Sequence, residues 1–173
     1  MKRIIESLKG GDLRSIARSG DAVTAVLKNP ALFAELMACM LDGDRLVRMR
    51  AADAVEKVTR IHPEWLAPWK GALLGDISAL EEKEVRWHVA QLLPRLGLTS
   101  SERAIAVGIL LGYLNDPSSI VKTFSMQALA DLAEEDEPLR DDVLPLIERL
   151  TLTGTPAMKS RGRKLLKQLK SEG

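Results

Sequence analysis

A chain of 173 residues with 46% apolar side chains is long enough for one sizeable core, or for about four to five stacked repeats. Aromatic residues make up only 3%, and Leu and Ala dominate, which favours helices packed through small and aliphatic side chains over sheets. A net charge of +1 excludes any bulk-charge argument for a polyanionic partner, so such an argument rests on local distribution.

Residues 1–29 read as an irregular helical cap. The first nine carry a charge every few residues and lack the apolar core of a signal peptide. Ile4, Ile5 and Leu8 predict a short amphipathic segment that Gly10-Gly11 stops. Asp12 is placed to cap a second short helix carrying Leu13, Ile16 and Ala17. Gly20 is expected to break that helix, with Asp21 capping a third through Val23, Val26 and Leu27. Asn29-Pro30 closes the segment.

Four helix pairs follow, over 30–63, 64–98, 99–135 and 136–170. In the first, a helix over 31–41 leads through Asp42-Gly43-Asp44 into a helix over 45–61, with Asp44 as N-cap and His62-Pro63 as terminator. Cys39 is the single cysteine and lies in the apolar run 36–41, where a buried, inert thiol is expected. No intramolecular disulfide is possible, which fits a reducing compartment. The second pair covers about 64–74 and 82–96, and Pro68 predicts a kink or a late start in its first helix. Thr99-Ser100-Ser101-Glu102 has capping-box spacing and opens a helix to about 115. Asp116-Pro117 starts the next, to about 134. Pro138 suits the first turn of a helix to about 152, and Gly154-Thr155-Pro156 turns the chain into a last helix ending near 170. No segment holds 18 uninterrupted apolar residues, so no membrane span is expected, and the default expectation is a soluble cytoplasmic protein.

One stretch recurs. Residues 47–58 (VRMRAADAVEKV) return in altered spelling at 85–96, at 121–132 and more faintly at 158–169, with starts separated by 38, 36 and 37 residues. Each copy keeps apolar side chains at its first, ninth and twelfth positions and Arg or Lys at its second. A fixed period of this length is the signature of a helical solenoid. On a helical wheel the first, fifth, eighth, ninth and twelfth positions share a ~80° arc. They are Val47, Ala51, Ala54, Val55 and Val58 in the first copy and Val85, Val89, Leu92, Leu93 and Leu96 in the second. The third has Val121, Ser125, Ala128, Leu129 and Leu132. This stripe is the predicted core.

Val47-Arg48-x-x-Ala51-Ala52-x-Ala54-Val55 resembles the second helix of a HEAT repeat, approximately V-R-x-x-A-A-x-A-L. Val121-Lys122 through Ala128-Leu129 follows that pattern less closely, and Met158-Lys159 onward only faintly. The resemblance to the HEAT/armadillo-like family covers roughly residues 30–170. It implies an all-α fold, a right-handed α-α superhelix of about four helix pairs behind the N-terminal cap, forming one solenoid domain. In that family an aspartate six residues before the basic position pairs with basic residues along the stack. Asp42 and Arg48 have that spacing, as do Asp116 and Lys122, whereas Leu80 and Thr153 occupy the other two slots. The motif specifies architecture much more than activity.

Opposite the core arc, the third position holds Met49, Trp87, Thr123 and Ser160, and the fourth holds Arg50, His88, Phe124 and Arg161. Met49, Arg50, Trp87, His88 and Phe124 form the candidate partner-binding groove, with packing between repeats as the alternative reading. Trp65 and Trp69, four residues apart beside His62, are expected to fill the joint between the first two repeats rather than form an aromatic platform. The row Arg48, Arg86, Lys122 and Lys159 is either a hydrogen-bonding ladder or a line of cations able to track phosphates. The last helix adds Arg161, Arg163, Lys164, Lys167 and Lys170, directly after the acid-rich stretch 131–148. Such a helix binds nucleic acid or an acidic protein surface, unless it is simply a solvated face.

No catalytic set is visible. His62 and His88 are the only histidines, and no metal-ligand spacing or phosphate-cradling glycine loop accompanies them, so no metal or cofactor is expected. The His-Glu pairs of metal-dependent HEAT-class enzymes such as deoxyhypusine hydroxylase are missing. A comparison with HEAT-like DNA glycosylases of the alkylpurine type rests on Trp87 with Arg86 and Arg50, but Gln91 stands one turn later, where an acid is wanted. The expected function is therefore non-catalytic protein binding, with nucleic-acid binding as the alternative and self-association as a third possibility.

Overall fold

A computed structural model describes residues 4–9 and 17–171, and every regular element among them is helical. The chain, expected to form one domain, divides into two compact units, residues 1–96 and 97–173. The division falls beside the boundary expected between the second and third helix pairs.

The first unit opens with α1 (Ile4–Leu8) and α2 (Ala17–Lys28). Gly20 does not break the chain there, because α2 runs straight through Gly20 and Asp21. An isolated glycine costs a helix only about 1 kcal/mol relative to alanine. Burial of Ser19, Ala22 and Val26 along the same helix offsets that cost. The expected cap at Asp12, with Leu13 and Ile16, lies outside the described residues.

A 3-10 turn (Pro30–Leu32), α3 (Phe33–Ala38) and a second 3-10 turn (Cys39–Leu41) lead to α4 (Arg45–Ile61). Asp44 caps α4 as expected, its carboxylate accepting the Leu46 N–H at 2.9 Å. Cys39 is buried. Pro63–Trp69 forms a 3-10 helix containing Pro68, so the α-helical part starts late as α5 (Lys70–Leu74). α6 (Lys83–Leu92) stops earlier than its apolar pattern suggests and continues as a 3-10 turn, Leu93–Arg95. Pro94 lacks the N–H that an α-helical bond requires, and its ring crowds the preceding turn.

All ten core positions assigned to the first two motif copies are buried. Each Val or Leu buried in this way contributes about 1.5–3 kcal/mol. Burial extends further than the predicted arc, however. α4 is packed by α2, α3 and α6, and both of its flanks are covered. Arg50 and His88, expected to face out, are buried along with Ala52 and Ala90. The Arg50 guanidinium donates to the Leu8 carbonyl at 2.8 Å, tying α1 to α4.

The basic second position bonds main chain in both copies of this unit. Arg48 Nη1 donates to the Asp42 carbonyl at 2.7 Å, and its Nη2 pairs with Glu82. Arg86 Nε donates to the Leu80 carbonyl at 2.9 Å. The residue six before the base therefore contributes its carbonyl, which is why Leu80 serves as well as Asp42. The Asp42 carboxylate instead accepts the Asp44 N–H at 2.8 Å.

In the second unit, α7 (Ser100–Tyr113) begins with a complete capping box, in which Thr99 and Glu102 each accept the other's backbone N–H. The Asp116 carboxylate accepts the Ser118 N–H at 2.8 Å, repeating the Asp42 turn, and α8 (Ser119–Ala133) starts after it. α9 (Glu137–Thr153) is capped by Asp136 and carries Pro138 in its first turn, and α10 (Pro156–Ser171) closes the fold. α8 packs against α7, α9 and α10. Its predicted core residues are buried, and so is Thr123, which was expected outside; Ser160 is exposed. Gly162 lets α10 approach α9 closely, since a Cβ there would stand 1.9 Å from Thr151 Oγ1.

Candidate functional site

Where α2, α4 and α6 meet, they enclose a cleft of about 190 Å³ lined by Ser19, Met49, Arg50, Asp53, Glu84, Trp87 and His88. Four of the five proposed groove residues come together here. Phe124 lies in the second unit, half-buried on α8.

Asp53 is the hub of the polar floor. Its Oδ2 accepts from Ser19 Oγ at 2.5 Å and from Lys57 Nζ at 2.6 Å, the latter one turn further along α4. His88 Nε2 approaches its Oδ1 at 3.5 Å. Burial alone raises the Asp53 pKa. Hydrogen bonds from His88, Lys57 and Ser19, with the Lys57 charge, outweigh that effect and hold the carboxyl well below the usual carboxylate range.

His88 is oriented by its own helix. Its Nδ1 lies 2.5 Å from the Glu84 carbonyl, one turn earlier on α6. The Trp87 indole meets this imidazole edge to face, with centroids 5.3 Å apart and an interplanar angle of 74°. Its N–H is directed at the ring. Glu84 is paired outward with Arg45 at 3.2 Å.

Ser, His and Asp are thus all present, but in an order unlike that of a hydrolase triad. Ser19 donates to the Asp53 carboxylate, whereas the serine of a hydrolase triad donates to the imidazole. Gln91 bonds the Trp87 carbonyl at 3.2 Å, and among the cleft-lining residues Asp53 on α4 and Glu84 on α6 carry carboxylates. Among the described residues no group of His, Cys, Asp or Glu is placed to hold a metal ion. Among them, too, no helix is long and apolar enough to cross a membrane.

Ser19, Asp53, Lys57 and Glu84 escaped the sequence reading. A signal was available for Asp53 and Lys57, which sit at the seventh and eleventh motif positions, polar sites between buried ones. Ser19 carried none, being a small polar residue in the segment expected to be broken at Gly20.

Trp65 stacks on His62 with centroids 4.3 Å apart and meets Phe33 edge-on at 5.6 Å. These contacts hold it against the first helix pair. With Trp69, Pro30, Ala31 and Pro68 it also borders an open depression.

The eight basic candidates separate. Arg48 and Arg86 bond main-chain carbonyls of their own unit. Arg161 donates to Gln127 Oε1 at 2.6 Å. Lys122 and Lys159 are half-buried, and Arg163, Lys164 and Lys167 are exposed.

No family model matches the chain, and no curated protein matches it. Among solved structures it is similar to an engineered protein from the Northeast Structural Genomics Consortium, with a TM-score of 0.67 at 17% identity. The likeness covers 97% of this chain and 80% of the other. At that identity it concerns the fold alone, and it agrees with the all-helical architecture.

Proposed function

We propose that this chain is a non-catalytic, HEAT-like α-solenoid binding module, working as a scaffold in the cytoplasm, that captures a protein partner through the α4–α6 cleft. The observation that carries the reading is that the polar groups of the cleft floor are tied to the chain itself. Asp53, Glu84, His88 and Arg50 all bond to groups of the chain itself. Met49 and Trp87 supply the apolar wall. A floor holding both Arg50 and Asp53 favours neither a carboxylate nor an ammonium, so the occupant is one uncharged apolar side chain, such as Leu, Met or Phe, of the partner. The repeated Arg48 and Arg86 carbonyl bonds and the matching Asp42 and Asp116 turns support a structural repeat, with main-chain bonds in place of the aspartate–base pairing that the HEAT resemblance implies.

The test uses a peptide library displayed on phage and selected against the protein, with parallel selection against Met49→Lys and Trp87→Ala. Enriched peptides sharing an apolar anchor and failing to bind either variant support the assignment. Peptides that bind the variants equally well, or no enrichment with a folded protein, would sink it.

A further inference from the structure

We propose that the exposed face of α10, formed by Arg163, Lys164 and Lys167, is a docking surface for the phosphate backbone of nucleic acid, read without base specificity. The proposal is independent of the cleft, which lies in the other unit. Met158, Gly162, Leu165 and Leu169 define the buried side of α10, packed on α8 and α9. The three cations occupy the opposite side, within about 6 Å of helix axis.

Among the described residues the acids nearest in sequence bond other groups and not these cations. Asp131 accepts from Gln127 at 2.7 Å, and Glu134 accepts from Gln168. Asp136 accepts from Arg103 at 3.0 Å and caps α9. Glu148 takes Lys170 at 3.1 Å. Arg163, Lys164 and Lys167 enter no ion pair among the described residues, so three full charges stand in solvent on one helix face.

The nature of that face selects the partner. An interfacial helix binds lipid by sinking an apolar face into the headgroup boundary, but the apolar face of α10 is already buried in protein. A protein interface needs aromatic or aliphatic anchors, and none stands among these three cations. A nucleic-acid strand presents regularly spaced phosphates and needs only cations. Flexible exposed side chains contact phosphate and leave base edges unread.

Fluorescence anisotropy with a labelled mixed-sequence DNA duplex and a matched single-stranded RNA tests this at several salt concentrations. Three neutralised phosphates predict a log–log salt slope of about −2.7 for the duplex. The combined Arg163→Gln, Lys164→Gln, Lys167→Gln variant should lose at least about tenfold in affinity and most of the slope. Lys167→Gln alone should lower the slope by about 0.9, which decides the matter if the triple variant loses its helical CD signal. Met49→Lys in the cleft should leave nucleic-acid binding unchanged, separating this surface from the cleft reading. Absence of binding to either nucleic acid at low salt overturns the proposal. So does undiminished binding by the variants, or tighter binding to phosphatidylserine vesicles or polyglutamate than to nucleic acid.

Discussion

His88 Nε2 lies 3.5 Å from Asp53 Oδ1, and the same two register positions meet again in the second unit, where Arg161 donates to Gln127 at 2.6 Å. In both cases the fourth residue of one motif copy reaches the seventh of the copy before it. The repeat therefore specifies a polar contact between neighbouring second helices as well as an apolar stripe. Its residues vary while its geometry is kept. Arg161→Ala should lower stability by about 1–2 kcal/mol in urea unfolding, and Gln127→Ala should add little to it in the double variant.

Asp53 makes the first of these contacts pH-dependent. Its folded pKa is depressed, so its stabilising contribution is complete above the unfolded value of about 3.9 and is lost as pH falls toward the folded value. Asp53→Asn should therefore cost stability near neutral pH and flatten the acid limb of the stability curve. Ser19→Ala, which removes the hydroxyl that donates to Asp53, should cost about 1 kcal/mol. An acid limb identical in Asp53→Asn and the parent would show that the carboxylate does not carry this linkage.

Arg95 holds the buried Glu56 from the far side of α4. Its Nη2 meets Glu56 Oε1 at 2.5 Å, while Nη1 reaches the Glu56 carbonyl at 2.8 Å and Thr59 Oγ1 at 3.0 Å. Burial raises the Glu56 pKa, but Arg95 and then Arg60 outweigh it and bring it below the ordinary 4.5. Arg95→Gln leaves a buried carboxylate with only the solvent-exposed Arg60. We expect a loss of about 2–3 kcal/mol, measured by denaturant unfolding. In the parent, Glu56 stabilises the fold above its unfolded pKa and loses that effect as pH falls through the folded value. In Arg95→Gln the carboxyl pKa moves up, and acid unfolding begins at higher pH.

The same substitution should have opposite signs at two helical glycines. Gly20→Ala adds a Cβ with nothing within 4 Å and should stabilise α2 by about 0.5–1 kcal/mol. Gly162→Ala drives a Cβ to 1.9 Å from Thr151 Oγ1 and 2.9 Å from Thr151 Cβ. It should destabilise by about 1–3 kcal/mol despite better helix propensity. Thr151→Ala should restore part of that loss, since it removes the nearest atom and leaves the Cβ contact. Thermal melts of the two single variants and the double variant check all three expectations.

Thr99→Ala removes one half of the capping box and should cost about 1 kcal/mol in thermal unfolding, with little change in total helicity. Retention of full stability would mean that water satisfies the first turn of α7 equally well.

Most helix limits were legible because their causes are local. α4 begins and ends where Asp44 and His62 place it, and α7 opens at the Thr99 box. The errors have local causes as well. Gly20 does not interrupt α2, and Pro94 ends the α-helical part of α6. The candidate site was half legible. Met49 and Trp87 line the cleft, yet the neighbouring Arg50 and His88 proved to be buried in its floor.

Periodicity and capping chemistry act over three or four residues of one chain segment, so the amino-acid sequence by itself determined the helices, their caps and the apolar stripe of each second helix. Only tertiary structure decided what became of the flanks. Ser19 and Asp53 are 34 residues apart, and whether they touch depends on how α2 and α4 pack. Burial on a helix flank is set by the neighbouring helix and not by the residue that occupies the position. For that reason Arg50 reads as a surface cation in the sequence and is a buried tie between α1 and α4 in the fold.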